Sequence, residues 1–100
     1  MIDLAPEHLA AVRQILSETV PGCRAIAFGS RVRGTSRRFS DLDLAVEGRE
    51  PLASDLLEVL RERFSASDLP VLVDVVDLKR VSEIFRRRIE AEYEEMQVGR

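Results

Sequence analysis

The segment from Leu42 to Val46 restricts the possible folds of this chain most strongly, because it places a charged residue inside an apolar strand pattern. Side chains of a β-strand alternate between two faces. One face of this strand would be apolar, and the other would carry Asp43 and, just before it, Asp41. A carboxylate is disfavoured inside a strand and is costly to bury without a partner. The pattern therefore predicts a half-buried strand that offers two neighbouring carboxylates to a cation.

A glycine–serine pair, Gly29 and Ser30, lies upstream with ten residues between Ser30 and Asp41. Glycine permits close backbone approach, and amides that open a helix bind phosphate groups. An ordinary strand-to-helix turn with a serine N-cap is the alternative. Arg31 and Arg33 are candidate phosphate ligands, although a solvated basic loop would look the same. The intervening segment concentrates positive charge in four arginines: Arg31, Arg33, Arg37 and Arg38.

Composition limits the class of protein. The 100 residues carry fifteen basic and eighteen acidic side chains, a net charge of −3 that argues against an extensive nucleic-acid surface. We expect a single domain over residues 1–100, because no linker-like stretch interrupts the chain. One cysteine, no signal-like start and no apolar run of roughly 20 residues favour a cytoplasmic protein without a membrane segment.

Hydrophobic periodicity and turn residues predict the element order αβαβαβα. The first helix begins at a proline and ends before a proline–glycine pair, and the short second helix ends at Gly34. The predicted ranges are helix 6–18, strand 23–28, helix 30–33, strand 42–46, helix 52–64, strand 71–77 and helix 81–96.

The third predicted strand contains another carboxylate among apolar residues. Its valines at positions 71, 73 and 75 share one face, and Asp74 lies on the other. If the valine face packs against the helices, Asp74 turns to the same side of the sheet as Asp41 and Asp43. Three carboxylates would then converge, and such oxygen ligands suit Mg²⁺ or Mn²⁺.

These motifs resemble those of the minimal nucleotidyltransferases of the DNA polymerase beta-like superfamily. Their signature is Gly-Ser, about ten residues, Asp-x-Asp, and a third aspartate on a later strand. Residues 26–46, IAFGSRVRGTSRRFSDLDLAV, and residues 71–78, VLVDVVDL, match that signature. The resemblance implies an α/β (α+β) nucleotidyltransferase fold, with a small mixed β-sheet of three or more strands and helices packed mainly on one face.

The resemblance also implies roles for individual residues. Asp41, Asp43 and Asp74 would hold two Mg²⁺ ions, and Asp74 would help to deprotonate the acceptor hydroxyl. Gly29 and Ser30 would hold the β- and γ-phosphates of a nucleoside triphosphate. The implied reaction is transfer of a nucleoside monophosphate, AMP from ATP, to an acceptor hydroxyl.

Similarity to stand-alone members of the superfamily implies an antitoxin that pairs with a helical HEPN-type toxin. Such proteins inhibit the toxin by binding it and in some cases by transferring AMP to a toxin tyrosine. A non-catalytic module that only masks the toxin is the main alternative. A second copy of the chain, in a homo-oligomer, could instead complete the pocket that binds the acceptor of the transferred group. Transfer to an RNA end or to a small molecule is a third possibility. The final helix offers an apolar stripe for docking, although a helix that covers the third strand would look the same: Val81, Phe85, Ile89 and Tyr93.

Overall fold

The computed structural model describes residues 1–99 of the chain. Its elements alternate helix and strand from end to end. In chain order they are α1 (Pro6–Thr19), β1 (Arg24–Phe28), α2 (Ser30–Arg33), β2 (Leu42–Glu47), α3 (Ser54–Ser65), β3 (Val73–Asp77), α4 (Glu83–Ala91) and β4 (Glu94–Gln97).

The strands form one four-stranded sheet in the order β3-β2-β1-β4. β1 pairs antiparallel with both β2 and β4, whereas β2 and β3 run parallel. The parallel pair requires a crossover connection, and α3 provides it. The sheet is therefore mixed, as the sequence resemblance implied.

Helices cover the two faces of the sheet unequally. The larger core packs α1 and α3 against β2 and β3, and its fully buried side chains include Leu16, Leu60, Leu44 and Val75. A smaller cluster on the other face contains Ile89 of α4, Ala45 of β2 and Leu78. The prediction that helices pack mainly on one face is confirmed, and α4 is the helix that covers the second face.

The predicted final helix over 81–96 is wrong in its second half. The chain leaves the helical conformation at Glu92, where φ is −154° and ψ is 107°. Residues 94–97 then pair with β1, and Met96 is buried against the larger core. The spacing of Ile89, Tyr93 and Met96 imitates a helical stripe, but pairing with the open edge of β1 satisfies backbone groups that a longer helix would leave exposed.

Within residues 1–99, no helix combines the length and the apolar composition needed to span a bilayer.

Candidate active site

Asp43 and Asp74 occupy directly paired positions on the parallel strands β2 and β3. Their neighbours along each strand, Leu44 and Val75, point into the larger core, so both aspartates face the other side of the sheet. This is the orientation that the alternation of the two strands predicts. Asp41 lies just before β2 and is exposed.

The environment of Asp43 disfavours its charged form. Burial is the main cause of its raised pKa, and the negative charges of Asp74 and Asp41 raise it further. The nearby Arg33 guanidinium acts in the opposite direction. Asp43 therefore lies close enough to both Asp74 and Asp41 for the charge of each to oppose its own.

Gly29 follows β1 directly and lies against Asp43. Its backbone has φ 82° and ψ −158°, a combination that is essentially restricted to glycine. A β-carbon at this position would collide with Asp43 Oδ2. The absence of a side chain therefore serves two purposes, because it permits the turn and leaves room for the carboxylate.

Ser30 begins the short helix α2, and Gly34 ends it in the left-handed conformation. The Gly29 carbonyl accepts hydrogen bonds from the amides of Val32 and Arg33, at 3.1 and 3.0 Å. The first amides of a helix have no partner within it and carry its positive end. The predicted short helix after the glycine–serine pair is confirmed.

Arg31 has a structural position instead of the predicted phosphate-binding one. Its side chain is only 6% exposed. The guanidinium donates to the carbonyls of Ser40 at 2.9 Å and Asp3 at 2.5 Å, and to two further carbonyls in the loop before β2. These bonds tie the loop that leads to Asp41 to α2 and to the N-terminal segment. Sequence alone could not separate Arg31 from Arg33, because both are arginines on one short helix.

Arg33, Asp43 and Asp74 line one cleft of about 410 Å³, next to Gly29. That volume lies within the range of roughly 300–1,000 Å³ that is usual for small-molecule sites. The cleft has an apolar part, formed by β1, β3 and α4, and one further charged residue, Arg88 of α4. Its remaining lining residues are Phe28, Val76, Phe85, Arg88 and Ile89.

The sequence analysis missed the contribution of α4 to this cleft. Phe85, Arg88 and Ile89 have the i, i+3, i+4 spacing of one helical face. That spacing indicated from sequence that the three residues share a face of α4. It could not show that this face packs on the sheet beside the aspartates. Only the packing of α4 across the second face of the sheet brings these residues to the site.

The donor set fits a hard divalent cation, because the paired groups are carboxylates that repel one another when ionised. Within residues 1–99, however, no three carboxylate, imidazole or thiolate side chains already lie where they could hold one ion. A bound cation would therefore have to draw the carboxylates together. Asp43 and Asp74 form the core of the candidate site, and Asp41 lies at its margin.

A mixed sheet with paired aspartates beside a glycine–serine turn is the arrangement that the sequence resemblance to nucleotidyltransferases implied. Residues 9–98 match the model of the nucleotidyltransferase domain family. A protein from Haemophilus influenzae named "Probable protein adenylyltransferase MntA" is 46% identical over 92 residues, which are 92% of this chain and 81% of the relative. The chain belongs to the nucleotidyltransferase domain family and is a transferase of that kind.

Solved structures have the same fold. One is a toxin–antitoxin with AMP-PNP, with a TM-score of 0.76, 27% identity, and coverage of 96% of this chain and 75% of that chain. Another is a tri-AMPylated Shewanella oneidensis HEPN toxin in complex with an MNT antitoxin. Its TM-score is 0.70 at 22% identity, with coverage of 94% of this chain and 71% of that chain. At that identity the second likeness concerns the fold alone.

Proposed function

We propose that this nucleotidyltransferase transfers AMP from ATP to a hydroxyl group of a partner protein, and that the partner is a HEPN-type toxin. The observation that carries the proposal is the direct pairing of Asp43 with Asp74 beside Gly29, in a cleft of suitable size. The relative from Haemophilus influenzae is named a protein adenylyltransferase, which supports AMP as the transferred group and a protein as the acceptor.

Asp41, Asp43 and Asp74 would hold two Mg²⁺ ions, or Mn²⁺ in their place. Bound there, the ions would stabilise the charge on the entering and leaving oxygens. The raised pKa of Asp43 supports this assignment, because burial and two neighbouring carboxylates make its isolated charge unfavourable. Cations at the site would remove that repulsion.

The remaining residues would orient the nucleotide. Gly29 allows the backbone to approach the triphosphate closely, and the first amides of α2 with the Ser30 hydroxyl would donate hydrogen bonds to the β- and γ-phosphates. Arg33 lines the same cleft and would add a charge-assisted hydrogen bond. Arg31 is left out of this set because its guanidinium is committed to backbone carbonyls.

In the proposed reaction the acceptor hydroxyl oxygen attacks the α-phosphorus of ATP. A bond forms between that oxygen and the α-phosphorus, the bond to the bridging oxygen breaks, and pyrophosphate leaves. Asp74 accepts the hydroxyl proton. Since ATP is the donor, we expect the reaction to take place in the cytoplasm.

The test is transfer of label to a co-purified partner in the presence of Mg²⁺. Label from α-labelled ATP should enter the partner, and label from γ-labelled ATP should not. Asp43→Asn should abolish transfer, whereas Asp68→Asn, the same chemical change at a loop position away from the cleft, should leave it intact. Transfer of γ-label, or no transfer to any cognate acceptor by folded protein, would contradict the proposal.

Masking of the toxin without catalysis is the second candidate. It is favoured by the likeness to a toxin–antitoxin structure at 27% identity. The same variant separates the two functions in cells. If Asp43→Asn still neutralises the toxin, binding is sufficient, and if neutralisation is lost while the complex persists, transfer is required.

A further inference from the structure

The three consecutive arginines of α4 differ in their partners. Arg86 donates to Glu47 Oε2 at 2.8 Å, and Arg87 donates to Glu83 Oε1 at 2.9 Å. Within residues 1–99, Arg88 makes neither an ion pair nor a side-chain hydrogen bond. Arg88 is also the one of the three that lines the cleft of the aspartate pair.

The packing of α4 holds Arg88 at that cleft. Arg88 shares a helical face with Phe85 and Ile89, and Ile89 is 1% exposed in the small core beneath the helix. The Phe85 ring meets the Phe28 ring edge-on, with centroids 5.9 Å apart and an interplanar angle of 80°. The buried Ile89, the Phe85–Phe28 contact and the Arg86–Glu47 pair together fix the rotation of α4 about its axis. Arg88 is thereby held at the cleft.

The cleft contains both negative and positive side chains, so its ligand should carry both cationic and anionic groups. Its carboxylates come from β2 and β3, and its two guanidiniums, Arg33 and Arg88, come from α2 and α4. Within residues 1–99 Arg33 also lacks an ion pair. Carboxylates select cations, and unpaired guanidiniums select oxyanions, for which arginine provides a planar fork of donors. A polyphosphate that carries divalent cations satisfies both sets.

We propose that Arg88 contacts the phosphate groups of the bound nucleotide, so that α4 and α2 hold the triphosphate together. The inference rests on the proposed nucleotide-binding function of this cleft. It adds a phosphate-binding residue that is remote in sequence from the glycine–serine turn. Arg88 would thereby contribute to nucleotide affinity.

The experiment measures binding by calorimetry, without turnover, using Mg²⁺ with inorganic tripolyphosphate and, separately, Mg²⁺ with ATP. Arg88→Gln should weaken both by about tenfold or more, the effect of losing one hydrogen bond between charged groups. Arg88→Lys, which keeps the charge and loses the fork, should fall between wild type and Arg88→Gln. Arg87→Gln is the matched control on the next residue and should leave both affinities unchanged.

Transfer kinetics provide an independent readout. Arg88→Gln should raise the KM for ATP and leave the KM for the acceptor unchanged. The role of Arg88 would be overturned if Arg88→Gln bound tripolyphosphate and ATP as tightly as wild type, or if only the KM for the acceptor rose. Either result would leave the proposal that the cleft binds nucleotide intact. Failure of the wild-type protein to bind either ligand would instead contradict the proposed function.

Discussion

Asp43 and Asp74 are register partners on two parallel strands, although 30 residues separate them in the chain. Like charges directly opposite each other destabilise a sheet. The pair lies where β1 ends, since Phe28, the last residue of that strand, is also a register partner of Asp43. This arrangement costs stability when the carboxylates are ionised, and it places them next to the glycine turn.

Divalent cations should stabilise the protein when they bind with nucleotide. Ligand at a hundred times its dissociation constant adds about 2.7 kcal/mol to the free energy of unfolding. We expect Mg²⁺ with ATP to raise Tm, and excess EDTA to reverse the rise. Asp43→Asn should abolish the gain and Asp68→Asn should retain it. An equal gain in both variants would show that binding does not involve the aspartate pair.

Asp43→Asn should stabilise the protein in the absence of metal ions at neutral pH. The pKa of Asp43 is raised in the folded protein, chiefly by burial and further by Asp74 and Asp41. The folded state therefore binds the Asp43 proton more tightly than the unfolded state, and this group lowers stability as pH rises through its folded pKa. Below its unfolded pKa the penalty is absent.

The pH dependence is best measured as a difference between variants. Glu18 and Glu47 have lowered pKa values, and each contributes stability that is lost on acidification, which masks the effect of Asp43 in the wild type alone. The stability advantage of Asp43→Asn over wild type should shrink as pH falls from about 7 into the carboxyl range. Denaturant unfolding with EDTA present measures it, and an advantage that grows on acidification would contradict the assignment.

Two glycines at opposite ends of α2 form a matched pair for substitution. Gly34 has φ 79° and open space where a β-carbon would lie, so Gly34→Ala should cost about 1–2 kcal/mol of backbone strain. Gly29→Ala adds a collision with Asp43 to a backbone conformation that is essentially restricted to glycine, and it should cost more. It should also abolish ATP binding, whereas Gly34→Ala should preserve it. Thermal unfolding and calorimetry on both variants separate strain from loss of the site.

Arg31 and Arg33 should respond oppositely to the same substitution. Arg31→Gln leaves part-buried carbonyls without their guanidinium donor and should cost about 1–3 kcal/mol of stability. Arg33→Gln should change stability by no more than about 0.5 kcal/mol and should weaken binding of Mg²⁺ with ATP. Equal stability losses, or equal losses of ATP affinity at constant stability, would show that the two arginines share one role.

The sequence was sufficient to predict those features of the fold that depend only on residues close together in the chain. The glycine–serine turn, the short helix that ends at Gly34, and the alternation around Asp43 follow from backbone freedom and from side-chain parity within a few residues. The parity of β3 likewise placed Asp74 on the strand face opposite Val73 and Val75. Each of these conclusions depends on neighbours in the chain, and the structure agrees with each.

Sequence was not sufficient where distant segments compete for the same partner. The apolar spacing of Ile89, Tyr93 and Met96 continues a helical pattern, but residues 94–97 pair with the free edge of β1 as a strand. Arg31 and Arg33 are nearly equivalent in sequence, and only packing against the loop before β2 buries one of them. The aspartate register and the placement of Arg88 were decided in the same way, by tertiary contacts, because the free energy of burial and strand pairing is contributed by residues far apart in the chain.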